Sequence, residues 1–188
     1  MTDVQHLPPD LPAPADDGAC DHLPGLRLPA LTLPGTDGTA HDLSCLGPGR
    51  TVLYMYPRTG EPDKPLPTDW DLIPGARGCT PQSCAFRDHH AELAAAGARV
   101  FGLSAQGTAY QSEAAARLHL PFPLLSDEER RLAGALKLPT FTADGMTLYK
   151  RVTLIVWEGV IEHVFYPVFP PDRSAADVLD WLRTDPAS

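Results

Sequence analysis

The sequence predicts an α/β domain with a central mixed sheet flanked by helices. Residues 51–56 (TVLYMY) form a short β-branched and aromatic run of the kind that fills a buried central strand. Strand and helix patterns then alternate to give the order β-α-β-α-β-α-β-β-α, which is how an α/β sheet is built. The last two strands, 152–157 and 160–166, read as a hairpin turning at Glu158-Gly159.

The elements follow in order. Residues 1–25 hold five prolines and no apolar periodicity, and read as an extended or flexible tail. The domain proper is expected over 26–188. After the strand at 51–56, residues 58–78 form a Pro- and Gly-rich loop of unusual length, and a structureless loop of that size is often functional. Phe86, His90, Leu93 and Gly97 are spaced i, i+4, i+7 and i+11, which predicts an amphipathic helix closed by Gly97. Residues 99–104 are the next strand, and 108–119 a helix with Thr108 as its cap. Residues 122–126 are a strand, and Ser126 to Glu129 reads as a capping box for a helix reaching Lys137. Residues 174–183 close the chain as a helix with Ser174 at its N-cap.

With 188 residues, 43% of them hydrophobic and 21% charged, the composition is that of an ordinary globular domain long enough to bury a core. Proline is in excess, at 21 residues, and must concentrate in loops. A net charge of −9 argues against nucleic acid and anionic membranes as partners. No apolar run approaches the ~20 residues of a membrane span, and the N-terminus has no basic and apolar leader pattern. A cytoplasmic location is expected, so Cys20, Cys45, Cys79 and Cys84 should start reduced, and a disulfide among them would be catalytic or transient.

Cys79 stands where the long loop ends and a helix begins, with Pro81 suited to the first helical turn. Free backbone N–H groups and the positive helix end favour the thiolate there, which is the nucleophilic form of cysteine. Cys84, five residues on, falls on a different face, is expected to be the more buried of the two, and is a candidate resolving thiol. The spacing alone fits two small core residues equally well. A metal site is not expected, because C-x4-C-x4-H-H (Cys79, Cys84, His89, His90) matches no usual zinc spacing. Nor is this the C-x-x-C of thioredoxin-type oxidoreductases.

The segments YMYP (54–57) and GCTPQSCAFRD (78–88) resemble the active-site region of peroxiredoxins, in the bacterioferritin-comigratory or Q-type branch. VFGLS (100–104), LPFPLLSD (120–127) and RVTLI (151–155) extend the resemblance in the right order, over roughly residues 27–184. It implies a thioredoxin-like fold and thiol-dependent reduction of hydrogen peroxide or organic hydroperoxides. It further implies that Cys79 is the peroxidatic cysteine, which becomes a sulfenic acid, and that Cys84 resolves it as a Cys79–Cys84 disulfide. Arg151 would be the arginine that meets the peroxidatic sulfur, and Pro57 the proline that shields it. No metal or organic cofactor is implied. Thioredoxin or a similar dithiol protein would be the reductant, and a monomer or weak dimer the expected state. Cys20 and Cys45 are expected to be bystanders.

The chain departs from the family pattern in one place. The motif P-x-x-x-T/S-x-x-C puts a hydroxyl three residues before the cysteine, where this chain has Ala76. About fifteen residues are inserted between Pro57 and Cys79, so the substrate hydroxyl falls to Thr59 or Thr80. Gln82 occupies a place that is often acidic. Two other functions stay open from the sequence: another thiol–disulfide oxidoreductase on the same fold, and a non-catalytic redox-responsive binding protein.

Overall fold

A computed structural model describes residues 7–184 of the chain. The central sheet has five strands in the order β5-β4-β3-β8-β9. They are β3 (Arg50–Met55), β4 (Ala98–Ser104), β5 (Leu124–Ser126), β8 (Val152–Trp157) and β9 (Val160–Phe165). β3 runs parallel to β4 and antiparallel to β8, so the sheet is mixed. Every residue of β3 is buried, as its unbroken bulky run predicts for a strand covered on both faces.

The period of two along β3 divides the core. Leu53 and Met55 face one layer, with Leu103, Leu154 and Leu132. Val52, Tyr54 and Tyr56 face the other, with Phe86, Leu93, Val178 and Leu182. The second layer is built by α1 (Cys79–Asp88), α2 (His90–Ala95) and α5 (Ser174–Thr184). The Tyr54 and Phe86 rings stack with centroids 4.4 Å apart, pinning α1 over the middle of β3. α3 (Thr108–Arg117) and α4 (Arg131–Leu136) complete the alternation.

Several local expectations are corrected. The helix over 79–97 is two helices, parted at His89, whose backbone leaves helical geometry and whose Nδ1 lies 2.8 Å from Glu92 Oε1. Gly97 closes the pair at φ +76°. Thr108 is the first helical residue of α3 and Gly107 its cap. The capping box does not form, because Ser126 lies in β5 and its Oγ accepts from Gln111 Nε2. Asp127 instead accepts from the N–H groups of Arg131 and Leu132, each at 2.9 Å. Ser174 has helical backbone angles and accepts from Gln82 Nε2, following a turn at Pro171–Arg173.

Two short hairpins had no clear signal in the sequence: β1 (Thr32–Pro34) with β2 (Ala40–Asp42), and β6 (Thr140–Ala143) with β7 (Met146–Tyr149). Residues 7–25 form no helix or strand, as the tail reading expects, but they lie on the body of the domain. Cys20 and Leu23 are buried in its core, and Asp17 bonds Lys150 and Tyr166. Apolar side chains inside an otherwise polar, proline-rich stretch account for that difference. Residues 1–6 of the expected tail lie outside the described residues.

Candidate active site

Cys79 is the first residue of α1, as the loop-to-helix reading predicts. Gly78 before it has φ +107°, and a Cβ there would collide with Pro171. Only glycine lets the chain turn so sharply into the helix at that contact. The first helical bond runs from Gln82 N–H to Gly78 O, at 3.0 Å. Cys79 Sγ lies 3.7 Å from Ala76 O.

Arg151, between β7 and β8, reaches the same turn from 72 residues away. Its Nη2 donates toward Cys79 Sγ at 3.3 Å and lies 3.2–3.3 Å from the carbonyl oxygens of Gly75, Ala76 and Arg77. Its Nη1 donates to Gln82 Oε1. Gln82 Nε2 passes the connection to Ser174 Oγ at 3.1 Å. A buried cation beside the sulfur, with its donors spread over this turn, stabilises negative charge at Sγ.

Cys79 is 3% exposed and Cys84 only half-buried, so the expectation that Cys84 is the more buried is reversed. The helix start is covered by Pro171, Leu7 and Arg151, while Cys84 lies further out on α1, toward Arg87. Burial still raises the Cys84 thiol above its ordinary value. Cys20 is pushed up to about 12, by burial and then by Asp17, Asp16 and Asp21. Cys45 is exposed, and all four cysteines are free thiols.

A small cleft opens at Cys79, lined by Thr80, Arg58, Gly60, Leu66, Trp70, Arg77 and Gly78. Thr80 therefore stands beside the sulfur. Thr59 is fully buried and is not among the lining residues; its N–H donates to Gln106 Oε1 at 2.8 Å and its Oγ1 lies 3.3 Å from the same atom. Pro57, buried past the end of β3, is also outside the lining. Ala76 is fully buried among Trp70, Ala143 and Leu148, with Phe141 against them. The inserted loop thus folds into a small core with the β6–β7 hairpin. The position where the pattern has a hydroxyl supplies a methyl group to that core.

Arg58 and Arg77 were not singled out in the sequence. They stand near the two ends of the insertion, and that flanking pair of cations was the available signal. Among the described residues no cluster of three His, Cys, Asp or Glu side chains is placed to hold a metal ion. None of the helices there is long and apolar enough to cross a membrane.

Residues 23–179 match the Redoxin family. Peroxiredoxin Bcp of Escherichia coli is 32% identical over 161 residues, covering 82% of this chain and 92% of that protein. Peroxiredoxin Q, chloroplastic, of Oryza sativa subsp. japonica is 31% identical over 161 residues, 85% of this chain. The match takes in 66% of the rice protein, so the chain spans just under two thirds of that relative. Among solved structures, peroxidoxin BcpB of Mycobacterium tuberculosis superposes with a TM-score of 0.70 at 28% identity, over 87% of this chain and 98% of that one. The thioredoxin-like α/β fold is thereby shown.

Proposed function

The chain belongs to the peroxiredoxin family, in its Q/Bcp branch, and on that premise we propose that it is a thiol peroxidase in which Cys79 attacks the peroxide. The contact between Arg151 Nη2 and Cys79 Sγ, at 3.3 Å, carries this reading. The Cys79 thiolate attacks one oxygen of a hydroperoxide and the O–O bond breaks. The sulfur becomes a sulfenic acid, and the other oxygen leaves as water or an alcohol once it takes a proton. Arg151 and the N–H groups at the start of α1 stabilise charge first on sulfur and then on the leaving oxygen. Cys84 then attacks the sulfenic sulfur and expels water to give a disulfide. A dithiol protein of the thioredoxin type reduces it, becoming a disulfide itself.

Of the two hydroxyls the sequence offers, Thr80 is the better placed to hold the peroxide, because it lines the cleft with Cys79 while Thr59 is tied to Gln106. Pro57, buried just past the end of β3, takes in this reading the shielding role that the family pattern gives it. The reaction belongs in the cytoplasm, where dithiol reductants keep such thiols reduced.

The test is oxidation of the reduced protein by hydrogen peroxide with mass detection. The wild type should lose two hydrogens as the Cys79–Cys84 disulfide. Cys84→Ser should gain one oxygen as a sulfenic acid, and Cys79→Ser should do neither. Normal turnover by Cys79→Ser would refute the assignment.

A further inference from the structure

Beside the Cys79 cleft lies a second, larger one. It is formed where β3 ends, where β4 turns into α3, and where the β6–β7 hairpin folds over, and its polar and cationic lining is Arg58, Gln106, Tyr110, Arg130 and Thr147. Arg58 lines both clefts and is the wall between them.

The chain carries 24 acidic residues against 15 lysines and arginines, yet neither guanidinium here meets a carboxylate within ion-pair distance among the described residues. Arg58 lies over the Tyr110 ring at 5.7 Å, with Nη1 3.3 Å from Met146 Sδ and Nη2 3.4 Å from Tyr110 Oη. Its Nε is buried and has no hydrogen-bond partner there. Arg130 donates from Nη1 to the carbonyl oxygen of Glu128 at 2.7 Å. It is held at φ +54°, where L residues rarely sit and where a cost is tolerated most often at functional positions. The positive end of α3 opens at Gly107 on the same cleft, and exposed Glu128 approaches it: a Cβ at Gly107 would sit 3.3 Å from its Oε1. The N–H donors left to meet an anion are those of the two guanidinium groups.

We propose that this cleft is an anion subsite that recognises a carboxylate on an organic hydroperoxide whose O–O bond lies at Cys79. This rests on the thiol-peroxidase reading and adds the substrate class. The carboxylate lies between Arg58 and Arg130, the apolar middle of the molecule passes Met146 and Tyr110, and the hydroperoxide crosses the Arg58 wall. The preference then comes from charge-assisted hydrogen bonds that a neutral hydroperoxide cannot make.

The test compares cumene hydroperoxide with its para-carboxylate, which differs only in the charged group, using dithiothreitol as reductant. The wild type should favour the carboxylate by about tenfold in kcat/KM at low salt, and the preference should shrink in 0.5 M salt. Arg130→Gln should bring the ratio close to one. Arg173→Gln, an exposed arginine paired with Asp177, should leave it in place. The ratio is taken within each protein, so partial loss of folded material does not imitate the effect. A wild-type ratio of one, or a ratio unmoved by Arg130→Gln, overturns the proposal. If neither hydroperoxide is reduced, the peroxidase reading fails and the subsite is judged by binding alone. The unreactive para-(2-hydroxypropan-2-yl)benzoate is then titrated by calorimetry into the protein and into Arg130→Gln. Saturable binding weakened by the substitution upholds the subsite, and absence of binding overturns it.

Discussion

Gln82 holds Arg151 from the helix that carries Cys79. Its Oε1 accepts from Arg151 Nη1, one turn along α1 from the sulfur that Arg151 Nη2 meets. Its Nε2 reaches Ser174 at the start of α5. One uncharged amide thus fixes the guanidinium without neutralising it, and ties two helices together. Gln82→Ala leaves buried donors on Arg151 and should lower stability by roughly 1–3 kcal/mol. Chemical denaturation would read that loss, and stopped-flow oxidation should show slower attack by Cys79.

Arg151→Ala removes the cation from the sulfur altogether. A hydrogen bond to a charged group contributes roughly 1.5–3 kcal/mol, and at ~1.4 kcal/mol per decade the oxidation rate should fall by about ten- to a hundredfold. Arg151→Lys should recover only part of this, since an ammonium cannot span Cys79, Gln82 and the three carbonyls together. An unchanged rate in Arg151→Ala would remove Arg151 from the chemistry.

Cys79 and Cys84 stand on one unbroken helix. On such a helix residues five apart differ by ~140° and ~7.5 Å along the axis, whereas a disulfide needs Cα atoms within ~7 Å and facing β-carbons. The first turn of α1 must therefore unwind for the disulfide to form, and this disturbs the contacts of Arg151 with Cys79 and Gln82 in that turn. Amide exchange over residues 79–86 should quicken on oxidation. In a variant keeping only Trp70, buried in the insertion nine residues before Cys79, the emission should change. A confirmed disulfide with identical exchange and emission would refute unwinding.

Trp70→Ala empties the centre of the insertion's own core, where Trp70 packs on Phe141 at 6.0 Å between ring centroids. A buried Trp→Ala change costs about 3 kcal/mol or more. Because this cluster stands apart from the two layers on the main sheet, the loss should be local. Limited proteolysis should cut within 58–78 in the variant before it cuts the wild type, while the sheet signal in circular dichroism persists.

Burial raises the thiols of Cys20 and Cys84, so at alkaline pH the folded chain keeps protons that the unfolded chain has lost. Stability should be flat to about pH 8 and then fall as pH rises past the ordinary thiol value, continuing toward about 12 for Cys20. Cys20→Ala should make the decline shallower in denaturation curves measured between pH 8 and 11.

The order of the main strands and helices was legible because each is local: a bulky run at β3, a helix stop at Gly97, a glycine turn between β8 and β9; the one helix expected over 86–97 is parted at His89. Cys79 was legible for the same reason, since a cysteine at a loop-to-helix junction is a property of adjacent residues. The family resemblance added the pairing of Arg151 with that cysteine, 72 residues away, which no local pattern carries. The caps at Thr108, Ser126 and Ser174 were misread. Gly107 and Asp127 took two of those places, and the hydroxyls of Ser126 and Ser174 were drawn instead to Gln111 and Gln82 on other elements.

By itself the sequence determined that β3 is covered on both faces, that α1 begins at Cys79, and that the chain just before it is too rich in proline and glycine for a strand or an α-helix. Those are matters of side-chain volume, period and backbone freedom, all fixed within a few residues. Only the tertiary structure decided that Cys79 is more buried than Cys84, that Cys20 and Leu23 join the core, and that the insertion packs Ala76 and Trp70 against a hairpin more than sixty residues further on. It alone set Arg58 between two clefts with Arg130 beside it. Burial and charge pairing are sums over neighbours, and the neighbours of these residues come from elements far apart in the chain.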